Sequence, residues 1–251
     1  MTDERKVVLV TGSSRGIGAA LARGFAGKGE RVVINYLKSK KAARALGEEL
    51  NAGHGPGAAL VLQADVSRRS DVRRMFDAVV ARFGGVDVLV NTAGLNLDRP
   101  FLEMTDKDWA TVLGTILTGT FLCCQEFARR YRGEAGSIVN IGAVTALRGR
   151  RNGANYCSAR AGVLTLTKCL ALELSPKIRV NCVTPGYINT DEVMERYHLH
   201  EQESLERALG DIPMSRLGTT DDVFQVVDFI VNTAGYVTGQ NYFVDGGSYM
   251  H

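Results

Sequence analysis

The stretch VTGSSRGIG (10–18) joins an apolar run, KVVLVT (6–11), to a segment of helical period, GIGAALARGFAGKG (16–29). A loop in that setting can bind a pyrophosphate. Gly12 permits a tight turn, Gly16 and Gly18 let the backbone approach the anion and the helix pack on the strand, and the helix N-terminus turns its free N–H groups toward the negative charge. Ser14, Arg15 and Ile17 fill the rest of the loop. The spacing is G-x-x-x-G-x-G, so the strand–loop–helix context carries the reading more than the glycines do, and the alternative is an ordinary glycine-rich turn. A site selective for NAD carries Asp or Glu roughly 20 residues further on, to hold the ribose 2′-hydroxyl. Here that place reads INYLKSKK, with Asn35 and Tyr36 and no carboxylate. Arg15, Lys38 and Ser39 offer cations and a hydroxyl, which favours the 2′-phosphate of NADP (NADPH). Lys40 and Lys41 read as a solvated helix start.

These groups must be positioned by regular elements. Apolar β-branched runs at 6–11, 31–36, 58–66, 86–94, 136–143, 178–186 and 240–247 read as strands. Between them lie helical patterns at 16–29, 39–53, 70–85, 105–114, 115–132, about 154–175 and 220–233. Alternation of this kind builds right-handed βαβ units. The expected fold is α/β: one doubly wound Rossmann domain over 1–251, a parallel seven-stranded sheet with helices on both faces. The polar stretch 187–212 shows no clear core face.

Hydrophobic residues make up 45% and charged ones 23%, which is globular composition. The net charge of +3 comes without a long basic block, which argues against nucleic acid as partner. No uninterrupted apolar run is long enough to span a bilayer, and MTDERKVVLVTG lacks the apolar core of a signal peptide, so a cytoplasmic protein without a membrane partner is expected. The cysteines (Cys123, Cys124, Cys157, Cys169, Cys182) are odd in number and form no C-x-x-C, so they read as reduced, mostly packed thiols rather than a disulfide frame or a metal site. His198 and His200 lack further ligands at metal spacing and read as solvated.

Taken together, TGSSRGIG (11–18), ADV (64–66), NTAG (91–94), YCSAR (156–160), TPG (184–186) and GQNYFVDGG (239–247) make the chain resemble a short-chain dehydrogenase/reductase, near the 3-oxoacyl-carrier-protein reductase branch. The likeness runs over nearly the whole chain. It implies that Asp65 and Val66 flank the adenine, that Asn91, Ala93 and Gly94 lie beside the cofactor, and that Pro185, Gly186 and Ile188 sit over the nicotinamide. It makes 187–212 a mobile lid over the substrate, with Tyr187 at its base.

In that family an Asn, a Ser, a Tyr and a Lys act together. The Tyr donates a proton to the carbonyl oxygen, the Ser hydrogen-bonds that oxygen, the Lys holds the nicotinamide ribose and assists the Tyr by its charge, and the Asn fixes a relay water. Tyr156 is present, and Arg160 stands at the Lys position. Ala143 stands at the Ser position, 13 residues before Tyr156, and Ile116 at the Asn position. Thr145 is the nearest substitute hydroxyl. An arginine stays charged and passes no proton on. Three readings follow for this altered set: a reductase of quinones or of polycyclic or polyketide-type ketones, a cofactor-binding scaffold with little turnover, or a non-redox cyclase or dehydratase using Tyr156.

Arg148, Arg150 and Arg151 lie on the loop before the Tyr156 helix, placed either to receive an acidic substrate or to face solvent. Trp109, Phe101 and Met104 read as core or interface residues. The apolar faces of 120–131 and 161–174 exceed the needs of one sheet face, and by resemblance they pair copies into a homotetramer or homodimer.

Overall fold

The computed structural model describes residues 5–250. Seven parallel strands form one sheet in the order β3-β2-β1-β4-β5-β6-β7. They are β1 (Val7–Thr11), β2 (Arg31–Tyr36), β3 (Ala59–Gln63), β4 (Val88–Asn91), β5 (Gly136–Ile141), β6 (Ile178–Pro185) and β7 (Asn241–Val244). The helices are α1 (Gly16–Gly27), α2 (Lys40–His54), α3 (Arg69–Phe83), α4 (Asp106–Leu113), α5 (Gly119–Arg130), α6 (Thr145–Arg148), α7 (Ala154–Leu174), α8 (Asp191–Arg196), α9 (Gln202–Gly210) and α10 (Thr220–Asn232).

The central strands are buried on both faces, which is why they read as unbroken apolar runs. Val8 and Val10 point to one side with Ile34, where Leu21 and Phe25 of α1 and Val227 of α10 pack. Val7 and Leu9 point to the other side, against Phe76 of α3 and Phe127 of α5. The chain crosses from the β3 edge back to the middle of the sheet between β3 and β4, so β1 and β4 lie adjacent and their carboxyl ends open a crevice. Ligands of doubly wound folds bind at such a switch point.

Several strands are shorter than their apolar runs, because side chains take over the ladder. After β3, Asp71 accepts from the Asp65 backbone N–H at 3.1 Å. After β4, Thr11 Oγ1 accepts from Thr92 N and Ala93 N at 3.1 and 3.2 Å. The two helices expected at 105–114 and 115–132 are one continuous run, Asp106–Arg130, with a π-helical turn at Gly114–Thr118. By length and composition this 25-residue run would pass for a membrane span; 50% of its most apolar window is buried within the fold.

The stretch 187–212 does have a packed face. Leu199, Ala208 and Ile212 are buried. Helix α8 begins at Thr190, whose hydroxyl accepts from Val193 N at 3.4 Å.

Candidate active site

The glycine loop, the β4 end, the segment after β6 and the start of α7 line one cleft of about 1240 Å³. Gly12 has φ of +62°, and a β-carbon there would lie 2.7 Å from Cα of Ala93, so the β1 and β4 ends meet only because both a side chain and an ordinary backbone are absent. Ser13 and Asn35 hold the loop in place. Ser13 Oγ donates to Val10 O at 2.7 Å, and Asn35 Oδ1 accepts from Gly12 N at 3.1 Å. Asn35 is therefore a buried brace as well as part of the cleft wall, with its amide nitrogen on Ala64 O at 3.2 Å.

Helix α1 starts at an extended Arg15 with no side-chain cap and no acidic residue in its first turn. Its unpaired first N–H groups are therefore open to an anion. Gly16, Ile17 and Ser14 line the cleft beside it, and Gly18 packs under the loop. Arg15 and Lys38 are exposed on the cleft mouth and form no ion pair among the described residues; Ser39 and Tyr36 line the same wall. The cradle of loop, free helix end and unpaired cations fits a dinucleotide phosphate.

Further in, Asp65 accepts from Ser67 N and Oγ at 3.0 and 2.6 Å, which folds the turn that carries Val66 into the cleft. Asp71, which braces this turn, is held below the ordinary carboxylate range, first by the Asp65 N–H and then by Arg74 and Arg68. Ala93 and Gly94 face the cleft from the β4 end. Pro185, Gly186, Tyr187 and Ile188 line the opposite wall. Ile188 is nearly fully buried and packs into the core, so only a small part of it reaches the cleft.

Tyr156 and Arg160 sit one turn apart on α7 and both line the cleft. Arg160 is only 6% exposed; its guanidinium donates from Nη1 to Ile141 O and stands 5.4 Å from the Tyr156 ring centroid. Its Nε is buried without a partner. Ala143 is 8% exposed and presents a methyl group to the same cleft, with Thr145 two residues on at the start of α6.

Two expected positions are corrected. Ile116 does not line the cleft: it is 0% exposed, on the π-helical turn, packed with Val112, Ala159 and Val163. An apolar side chain there is drawn into that small core cluster. Asn91 does not line the cleft either. It is buried, with its amide nitrogen donating to Asn140 Oδ1 at 2.9 Å and Cys124 Sγ at 3.3 Å, so it braces β4 to β5. Among the described residues no His, Cys, Asp and Glu cluster could hold a metal.

With this geometry, the comparisons with known proteins are decisive. The family model described as enoyl-(acyl carrier protein) reductase matches residues 12–249. A 3-oxoacyl-[acyl-carrier-protein] reductase of Synechocystis is 38% identical, covering 98% of this chain and 97% of its own. The chain belongs to the short-chain dehydrogenase/reductase family. It is an oxidoreductase. The reductase of the same name from Staphylococcus aureus is 39% identical, covering 98% of each chain. A 3beta-hydroxysteroid dehydrogenase from Eggerthella lenta is 38% identical over 98% of this chain and 94% of its own. A solved short-chain dehydrogenase/reductase from Brucella melitensis superimposes with a TM-score of 0.90 at 31% identity, covering 98% of this chain and 97% of that one.

The sequence pattern left part of this short-chain dehydrogenase site unread. Leu95, Asn96, Leu97 and, from the 187–212 stretch, Val193, Arg196 and Tyr197 line the cleft. Tyr187 and Tyr197 meet edge to face, centroids 5.0 Å apart. Burial raises the Tyr187 phenol's pKa and the neighbouring Tyr197 adds to that, while Arg148 opposes both. Thr190-Asp191-Glu192 is a readable helix start, a capping threonine followed by acidic residues. The run LNLDR that follows NTAG carried no such signal.

Proposed function

We propose that the protein is an NADPH-dependent reductase of a quinone or of a polycyclic or polyketide-type ketone. The observation that carries this reading is that Tyr156 lines the cleft together with a methyl group, Ala143, where the family pattern has a serine. Arg15, Lys38 and Ser39 would hold the 2′-phosphate, the α1 N-terminus the pyrophosphate, and Arg160 the nicotinamide end. When bound, the nicotinamide supplies a hydride.

Tyr156 protonates the substrate oxygen. The chain gives that oxygen no serine hydroxyl, and losing one such donor costs on the order of 10²–10³ in rate in another enzyme class. A substrate that spreads its developing charge over a conjugated ring system needs that donor least. Leu95, Leu97, Val193 and the Tyr187–Tyr197 pair provide apolar and aromatic walls for a flat ring system. A relative named for a hydroxysteroid, itself a polycyclic molecule, agrees with this reading. We infer too that copies associate through the outward faces of α5 and α7, where Phe121 and Leu172 are exposed.

The test is NADPH consumption over a panel of quinones, polycyclic ketones and simple β-keto thioesters, with wild type and Tyr156→Phe in parallel. Turnover is expected with the conjugated substrates. Ketone turnover should fall by about 10²–10⁴ in Tyr156→Phe, quinone turnover much less. No turnover across the panel, with NADPH bound, would sink the reading and leave a scaffold or a non-redox catalyst.

A further inference from the structure

One carboxylate joins the lid to the tyrosine. Asp98, on the loop after β4, accepts from Arg150 Nη2 through Oδ1 and from Arg196 Nη1 through Oδ2, each at 2.7 Å. Arg196 belongs to α8 on the lid, and Arg150 lies on the loop leading into α7. Glu192, also on α8, takes Arg196 Nε at 2.6 Å and Asn96 Nδ2 at 3.0 Å. Arg150 in turn donates to Asn96 Oδ1 at 3.0 Å and to Tyr197 Oη at 3.3 Å. Its guanidinium carbon stands 5.0 Å from the centroid of the Tyr156 ring.

The charges within this cluster balance, two arginines against two carboxylates. Arg150 is therefore already neutralised inside the protein, and its side chain is 13% exposed. Burial opposes its charge, but the Tyr197 hydrogen bond and the attraction of Tyr197, Asp98 and Tyr156 outweigh it, and its pKa is raised. That leaves Arg148, exposed on the rim, as the arginine placed to meet a charged substrate. Arg150 points the other way, onto the phenol. With Arg160 it flanks the ring by two cations, and a cation beside an aromatic ring restrains it by electrostatic attraction. The hydrogen bonds that keep Arg150 there all end on Asn96, Asp98 or the lid's Tyr197, and the lid reaches Asn96 and Asp98 as well.

We propose that Arg150 is the positioning residue of Tyr156, and that Asp98 couples its placement to docking of α8, so that lid closure and alignment of the phenol are one event. The catalytic consequence rests on the reading of Tyr156 as proton donor. Proton transfer needs the hydroxyl within about 2.6–3.2 Å of its target. A misplacement of about 1 Å can cost about 10²-fold in rate.

The experiment uses the full-length protein, with and without NADPH, and the variants Arg196→Met, Asp98→Asn, Arg150→Met and Arg150→Lys. Amide hydrogen exchange reads the coupling and needs no substrate. Arg196→Met removes a side chain bonded, among the described residues, to Asp98 and Glu192. It is expected to speed exchange in 189–200 and also in 148–157, a segment that the Arg196 side chain reaches through Asp98 in the hydrogen bonds of the described residues. In turnover, Arg150→Met and Asp98→Asn should lower kcat by roughly tenfold to a hundredfold. KM and NADPH affinity should stay near wild type, and Arg150→Lys should recover part of the loss. Exchange confined to 189–200 in Arg196→Met would overturn the coupling, even if Arg150→Met fails to fold. An unchanged kcat in Arg150→Met, or a loss shared equally by kcat, NADPH affinity and thermal stability with no rescue by lysine, would overturn the positioning role. If wild type reduces nothing, the reductase reading fails by itself while the exchange data still decide the coupling.

Discussion

The guanidinium of Arg160 lies against the bare backbone of Gly94: a β-carbon on Gly94 would sit 2.6 Å from Nη2. The last residue of NTAG and the residue four beyond Tyr156 are thus fitted to one another across the cleft floor. An arginine reaches further than the lysine of the family pattern, and the glycine makes room for that reach.

Gly94→Ala should therefore destabilise the fold by about 1–3 kcal/mol, the cost of overpacking. Combining it with Arg160→Lys, which withdraws the fork, should recover part of that loss. Urea unfolding of the two single variants and the double variant measures the coupling; strict additivity would show that the contact carries no energy.

Arg15 and Lys38 stand exposed at the mouth beside Asn35 and Tyr36, without an ion pair among the described residues. Arg15→Ala and Lys38→Ala should each weaken NADPH by about tenfold, or about 1.4 kcal/mol, and leave NADH nearly unchanged. Fluorescence titration at two salt concentrations checks this, because a lost phosphate contact also flattens the salt dependence.

Ala143→Ser places a hydroxyl where a methyl group now lines the cleft beside Tyr156. Non-conjugated ketones should gain on the order of 10²-fold in kcat, the worth of one oxyanion donor. Quinones should gain little. Steady-state kinetics on both classes decides it, and equal gains would remove the argument from self-stabilised substrates.

Helix α10 is capped by Thr219 and Asp222, and Arg216 grips Asp222 with both Nη atoms at 2.8 and 3.0 Å. That grip, with the Thr219 N–H, holds the Asp222 carboxyl well below the ordinary carboxylate range. Because the folded value is the lower one, the unfolded chain takes up this proton first as the medium is acidified. The contribution is whole above about pH 4 and drains away as pH falls toward the folded value. Asp222→Asn should lower Tm by about 2–4 °C at neutral pH and by less in acid. Thermal melts across this range test the sign.

The parallel sheet could be read from the sequence because both faces of its strands are apolar and glycines mark several element ends. The glycine loop was equally readable, since strand, turn and helix start are contiguous. Asn91 and Ile116 misled because family position suggests a cleft, whereas their surroundings are a strand brace and an apolar cluster. The Asp98 cluster was not readable. Its members come from residues 96–98, 150 and 192–197, and no local period links a carboxylate to arginines so far along the chain.

The π-helical turn at Gly114–Thr118 shifts the angular phase of a single long helix part-way along its length. Before and within it, Val112 and Ile116 turn toward the Tyr156 cluster; beyond it, Leu122, Cys123 and Phe127 turn to the main core. One rod thereby serves two cores. An α-helix advances about 100° per residue, so deleting one residue here would rotate every later side chain of α5 by that angle. The length of this segment is a specification of direction: it sets which core the later side chains of α5 enter.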